Sequence, residues 1–187
     1  MRIKAQYYLL VVVIAMLTAC SFGEKRDAIE DIVQPEAITT FVNYKIESIN
    51  ENIGPCGEND DLEKCLTYSV EYPVIEKGVR QSVMKKLNDN IISDIIGSYM
   101  DTEERMNFDQ IKIGLKSDFE SLLKDYPESI NNWNLEIISD ILHQDSLFIS
   151  VATTINSYTG GAHANYVQSY RSYDLRTGET IQLEDLF

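Results

Sequence analysis

The stretch FVNYKIESIN, residues 41–50, alternates in character: Val42, Tyr44 and Ile46 fall on one face, Asn43, Lys45 and Glu47 on the other. A period of two predicts a half-buried strand. CLTYSVEYPVI, residues 65–75, repeats the pattern more cleanly, with Leu66, Tyr68, Val70, Tyr72 and Val74 set against Thr67, Ser69, Glu71 and Pro73. Pro73 has no N–H to give a ladder, so it is expected at a strand end or a sheet edge. The period then lengthens. Val79, Val83, Leu87, Ile91 and Ile95, widened by Met84, Ile92 and Ile96, predict an amphipathic helix from about Glu76 to Ile96 that closes near Gly97. Phe108, Ile111, Leu115, Phe119, Leu122 and Tyr126 predict a second helix. Asn107 and Gln110 open it as a capping box, and Pro127 stops it. Its aromatic stripe is core rather than a cofactor box.

Strand patterns return afterwards. WNLEIISDILHQ and SLFISVATTINSY flank a polar turn around Gln144 and Asp145, with Leu147, Ile149, Val151 and Ile155 pointing one way. YVQSYRSYDL predicts a further strand, and RTGE a turn in which Gly178 suits a positive φ. TIQLEDLF begins another element. Strands in blocks around a helical block predict an α+β fold, an antiparallel sheet with two amphipathic helices packed on one face. No compositional linker divides it.

The first residues lie outside that pattern. Arg2 and Lys4 make a basic n-region, and an apolar run from Tyr7 to Leu17 ends in Leu17-Thr18-Ala19-Cys20. The run is short for a membrane span, and small residues before a cysteine resemble the bacterial lipobox. Cleavage before Cys20 and lipidation of its thiol are therefore expected, with an ordinary signal peptide or an uncleaved anchor as the rivals. Residues 1–19 are then a signal peptide, 20–39 a polar tether carrying Pro35, and 40–187 the folded domain. The protein is expected in the bacterial cell envelope, anchored to a membrane and facing the periplasm or the cell exterior.

Charge narrows the partners. The formal net charge is −14, and loss of Arg2 and Lys4 with the signal peptide takes it to −16. So acidic a chain is a poor ligand for nucleic acid or anionic lipid, which call for a basic face. A cationic partner is compatible, as is acidity for solubility alone. With Cys20 lipidated, Cys56 and Cys65 remain as a pair bracketing the polar loop GENDDLEK. An oxidising compartment favours a disulfide, which across so short a loop stabilises by about 2–3 kcal/mol. Zinc lacks a nearby histidine. Glu58, Asp60 and Asp61 lack the alternation and glycine of a calcium loop. No metal and no cofactor are expected.

The chemistry concentrates in SYTGGAHANY, residues 157–166, where a strand-like run stops on Gly160, Gly161, Ala162 and one of the two histidines, His163. Glycines allow backbone angles closed to other residues, so Gly160 and Gly161 are expected to bend or bulge the strand. His163 is expected to hydrogen-bond across that kink and lock it. Two rivals stay open. His163 contacts a ligand, or it acts as a catalytic base with Ser157, Tyr158, Thr159 or Asp174.

Tyr158, Gly160, Gly161, Ala162 and His163, followed by YDLRTGETIQLEDLF, resemble the extracytoplasmic domain of the lysozyme-sensing anti-sigma factor RsiV and the non-catalytic N-terminal region of the peptidoglycan deacetylase PdaC. The resemblance runs from about Phe41 to Phe187, with Tyr72-Pro73 as a weaker match. It implies an α+β fold and, in one branch, binding of a protein ligand at the cell surface. The function expected is thus a lipid-anchored envelope binding module, for a protein such as lysozyme or a peptidoglycan-related ligand. The alternative is a cell-wall hydrolase using His163. With a lipobox start, neither a cytoplasmic sigma-binding segment nor a membrane span is expected, and no deacetylase catalytic region is expected beside the domain. The family continues past LEDLF with another helix and strands, so the domain is expected to be short at its C-terminus.

Cys20→Ala is expected to release the protein from membranes or to leave an uncleaved precursor. Unchanged processing and fractionation of that variant would refute lipidation.

Overall fold

The alternating runs form strands and the longer-period runs form helices in a computed structural model, which describes residues 41–56, 64–100, 106–127 and 132–186. The strands are β1 (Asn43–Ile53), β2 (Leu66–Lys77), β3 (Trp133–Gln144), β4 (Phe148–Tyr158) and β5 (Asn165–Asp174). The helices are α1 (Gln81–Tyr99) and α2 (Phe108–Asp125), and a 3-10 turn spans Leu183–Leu186. Cys20, its preceding signal-like run, the tether and Glu58, Asp60 and Asp61 lie outside the described residues. Among the described residues no helix is long and apolar enough to cross a membrane.

The fold is α+β as expected, with five strands in the order β1-β2-β3-β4-β5. Three of the four pairings are antiparallel. The fourth corrects the expected sheet. β2 and β3 run parallel, Leu66 beside Trp133 through Glu71 beside Ile138. Parallel neighbours need a crossover, and α1 and α2 supply it. The sheet is therefore mixed.

One face of the sheet and the helices share the main core. Tyr68, Val70, Leu135, Ile137, Ile149, Val151 and Ile155 meet Val83, Leu87, Ile91 and Ile95 of α1 and Phe108 and Ile111 of α2. Each fully buried aliphatic side chain contributes about 1.5–3 kcal/mol. Two polar residues inside, Ser139 and Thr153, hydrogen-bond each other at 2.9 Å across β3 and β4.

Pro73 lies inside β2 rather than at its end. It still acts as an edge residue on one side, because pairing with β3 stops at Glu71 while pairing with β1 continues to Lys77. Where β3 no longer flanks the strand, Asn88 of α1 takes its place. Its amide accepts from the Ile75 N–H at 2.8 Å and donates to the Ile75 carbonyl at 3.0 Å. Over this stretch Pro73 and Ile75 are buried and Val74 only partly so, and Ile75 joins the main core beside α1.

The α1 boundaries move for the same reason. Glu76 and Lys77 still belong to β2, and Gly78 turns the chain with φ +107°, so the helix starts at Gln81 and not near Glu76. Gly97 lies within its last turn. The α2 start is as expected: Asn107 accepts from the Gln110 N–H at 2.9 Å, and the Gln110 side chain accepts from the Asn107 N–H at 2.9 Å. Leu122 and Tyr126 are exposed, and Leu123 packs inward in their place.

The C-terminal turn docks on α1. Asp174 Oδ1 accepts from the Arg176 and Thr177 amides at 2.7 and 3.0 Å, and Gly178 N–H donates to the Asp174 carbonyl at 2.8 Å. Gly178 has φ +75°, and a Cβ there would sit 3.1 Å from the Val83 carbonyl oxygen. Asn90 holds the Gly178 carbonyl, and Lys86 pairs with Glu179. Next to this turn, the Tyr173 hydroxyl donates to Asp94 Oδ2 of α1 at 2.9 Å, and the Thr180 hydroxyl shares the same oxygen at 3.2 Å.

Burial, then the Asp94 carboxylate, pushes the Tyr173 hydroxyl well above its ordinary value of 10.0. The unfolded chain loses this proton first, so the contribution is complete below pH 10 and is lost as the pH rises above it. Tyr173→Phe is expected to cost about 1–2 kcal/mol at pH 8. It is also expected to lose less of its remaining stability than the parent above pH 10, measured by urea melts at both pH values.

Candidate functional site

The TGGAH segment joins β4 to β5, which pair from Phe148 with Asp174 to Ser157 with Asn165. Thr159 to Ala164 therefore form the hairpin loop at the strand ends, not a bend within the sheet. The left-handed residue is Gly160, at φ +84°, and not Gly161. Its fixed neighbour is the indole of Trp133, whose Nε1 lies 3.2 Å from where a Cβ on Gly160 would stand. Gly161 has open space around it.

Trp133 is only 6% exposed and anchors this end of the sheet. Its backbone N–H donates to the Cys65 carbonyl at 2.8 Å, and its ring meets Phe119 of α2 edge-on at 5.5 Å. With Ile53 and Leu66 these two rings make a second, smaller core. Cys56 and Cys65 are joined as a disulfide, their Cα atoms 5.0 Å apart, beside the ends of β1 and β2. Gly54, at φ +100°, lets the chain pass the Lys64 carbonyl and the Phe119 ring. The disulfide and the TGGAH loop thus share one end of the sheet, over one small core.

His163 does not lock this loop. It is exposed, and its side chain has no hydrogen bond or ion pair with any described residue. The loop needs no such pin, since the Gly160–Trp133 contact and the last β4–β5 pairs hold it. The proposed catalytic partners are also dispersed. Ser157 is buried on the helix-facing side of β4, and Asp174 is engaged in the turn at the far end of β5. His143 faces Ser150 near that far end, roughly 24 Å along the sheet by strand rise from the Ser157 row. It lies 3.6 Å from Asp145, whose carboxyl is held below its ordinary value first by the Phe148 and Leu147 amides. Among the described residues no group of three or more His, Cys, Asp or Glu is placed to hold a metal ion.

The surface that the sequence pattern undersold is the sheet face turned away from the helices. Three cross-strand rows lie on it: Glu136, Asn156 and Tyr166; Ile138, Thr154 and Gln168; Asp140, Ala152 and Tyr170. Tyr166 and Tyr170 are 64% and 55% exposed. The signal was present in TTINSY and NYVQSY, where the positions between the buried ones carry tyrosine and amides.

The model of the family described as "Deacetylase PdaC" matches residues 60–166, more than half of the chain. The protein belongs to the PdaC family. No curated protein matches the chain. The fold is shared with two crystal structures of DUF3298 family proteins. One, from Pseudomonas aeruginosa PAO1, has 11% identity and a TM-score of 0.54 over 79% of this chain and 58% of its own. The other, from Bacteroides fragilis NCTC 9343, has 19% identity and a TM-score of 0.55 over 79% and 61%. This chain spans about three-fifths of either relative, and at such identities the likeness speaks for the fold alone.

Gly160→Val is expected to lower stability by about 1–3 kcal/mol, through the disfavoured backbone angle and the indole contact. Gly161→Val and His163→Ala are expected to melt within about 0.5 kcal/mol of the parent. Thermal melts of the three variants check this ordering.

Proposed function

We propose that this PdaC family protein is a lipid-anchored binding module of the bacterial cell envelope, which engages a protein or a peptidoglycan-related ligand without catalysis. The observation that carries the reading is the open sheet face. Its central rows offer Tyr166 and Tyr170, amides from Asn156 and Gln168, and the hydroxyl of Thr154, all on paired strands. Tyrosine supplies a large rigid contact at low entropic cost, and small polar groups supply adaptable hydrogen bonds. The same rows carry Glu136 and Asp140 with no lysine or arginine, which suits a basic protein such as lysozyme.

The rival reading, a cell-wall hydrolase using His163, draws on the deacetylase in the family description. An exposed histidine without an orienting carboxylate among the described residues is a weak starting point for a base.

Binding of the purified protein to lysozyme and to insoluble peptidoglycan tests the proposal. Tyr166→Ala and Tyr170→Ala are each expected to weaken retention of one of these probes by about ten-fold or more, while His163→Ala binds as the parent does. Release of soluble products from peptidoglycan, abolished by His163→Ala, would establish the hydrolase instead. Retention of neither probe by the parent would sink the binding reading.

A further inference from the structure

The two edges of the sheet differ. β1 is guarded: Lys45 pairs with Glu47 at 2.5 Å, and Lys112 of α2 reaches Glu51 at 2.9 Å. Charged side chains and a covering helix are usual defences of an edge strand. β5, at the other edge, is covered only at its end. Tyr173 bridges Thr180, the Ile181 N–H donates to the Ser172 carbonyl at 2.8 Å, and the Asp174 N–H donates to the Glu179 carbonyl at 2.9 Å. From Asn165 to Arg171 no described strand pairs with its outer side; there the Tyr170 carbonyl accepts from the Arg171 guanidinium Nη1, at 3.1 Å on the exposed surface. That stretch, NYVQSYR, holds no proline, no glycine and no bulge against β4, and its single charge is Arg171. An edge of this kind is a template for another strand.

The bonds to the turn fix which backbone groups face outward. The Ser172 carbonyl and the Asp174 N–H point away from β4. Backbone direction alternates along an unbroken strand. The N–H and C=O groups of Tyr166, Gln168 and Tyr170 therefore point outward as well.

We propose that β5 pairs antiparallel with β5 of a second copy of this chain, about a two-fold axis at Gln168. In that register Gln168 opposes Gln168 of the second copy, and Tyr166 opposes Tyr170 on either side. All three pairs then exchange both N–H···O bonds, because each of these residues presents its backbone outward and the exposed Arg171 guanidinium yields the Tyr170 carbonyl to the second copy. The tyrosines form cross-strand aromatic pairs on the open face. Arg171 opposes Asn165, so the one charge in the stretch meets no like charge. The contact is self-complementary, as a two-fold interface must be. Two five-stranded sheets become one, and the open faces of both copies run on continuously. The net charge of −14 opposes association, so the pair is expected to tighten as salt rises.

Sedimentation of the full chain in detergent at about 100 µM, at low and at high salt, reads the proposal directly. A dimer that strengthens with salt is expected. Cross-linking then locates it. Opposed α-carbons in a hydrogen-bonded pair stand about 5.5 Å apart, within disulfide reach. Gln168→Cys is thus expected to form a covalent dimer under mild oxidation. Glu136→Cys, exposed on the same face two strands inward, is expected to stay monomeric. Gln168→Pro removes only an outward N–H and is expected to abolish the dimer with an unchanged circular dichroism spectrum. A parent that stays monomeric at both salt concentrations overturns the proposal. So does a Gln168→Cys protein that cross-links no better than Glu136→Cys, or that is captured only by a different polypeptide or by another segment of its own chain.

Discussion

The parallel ladder between Leu66–Glu71 and Trp133–Ile138 holds the rest of the structure in place. It joins an antiparallel hairpin, β1–β2, to an antiparallel meander, β3–β4–β5. The hairpin alone would be marginal in water. A parallel pairing obliges the chain to return across the sheet, and α1 and α2 do so over one face, which becomes the core. The ladder is short because Pro73 follows it, and the Asn88 amide answers the Ile75 backbone groups that it leaves behind.

That same ladder decides which loops are neighbours. With β2 and β3 aligned, the end of β1, the start of β2, the start of β3 and the end of β4 all come to one side. The disulfide and the TGGAH loop therefore share an end of the sheet, and Trp133, Phe119, Ile53 and Leu66 fill the space beneath them. A motif that reads as chemistry in the sequence divides here into two parts. Gly160 is a packing residue set against Trp133, while Gly161, Ala162 and His163 are solvent-facing loop. The DLRTGE motif is likewise a docking turn, in which Gly178 clears the α1 backbone and Asp174 holds the turn amides.

The open face follows from the layer arrangement. Both helices lie on one side, so residues between the buried ones on β3, β4 and β5 face solvent in register. Tyr166 and Tyr170 owe their exposure to this, and their neighbours Asn156, Thr154 and Gln168 give the face mixed hydrogen-bonding capacity. A rigid scaffold beneath such groups suits recognition, because little is ordered on binding.

Local patterns were legible from the residues alone. The alternation of Ile149, Val151 and Ile155, the stripe of Val83, Leu87, Ile91 and Ile95, the Asn107–Gln110 capping box and the Gly178 turn each depend on near neighbours in the chain. So did the pairing of Cys56 with Cys65, which the short loop and the expected compartment favoured. What depends on distant neighbours was not legible. The direction of the β2–β3 pairing is set by the crossover. The fuller burial of Pro73 and Ile75 than of Val74 is set by where β3 stops and α1 begins. The choice of Gly160 over Gly161 for the positive φ is set by Trp133, 27 positions earlier in the chain and brought alongside only by the sheet. His163 had the residue type of a lock or a base, yet its role depends on having a partner, and only the tertiary fold decides which side chains reach it. Periodicity is a property of the next few residues, whereas pairing direction, contact and exposure belong to the packed whole.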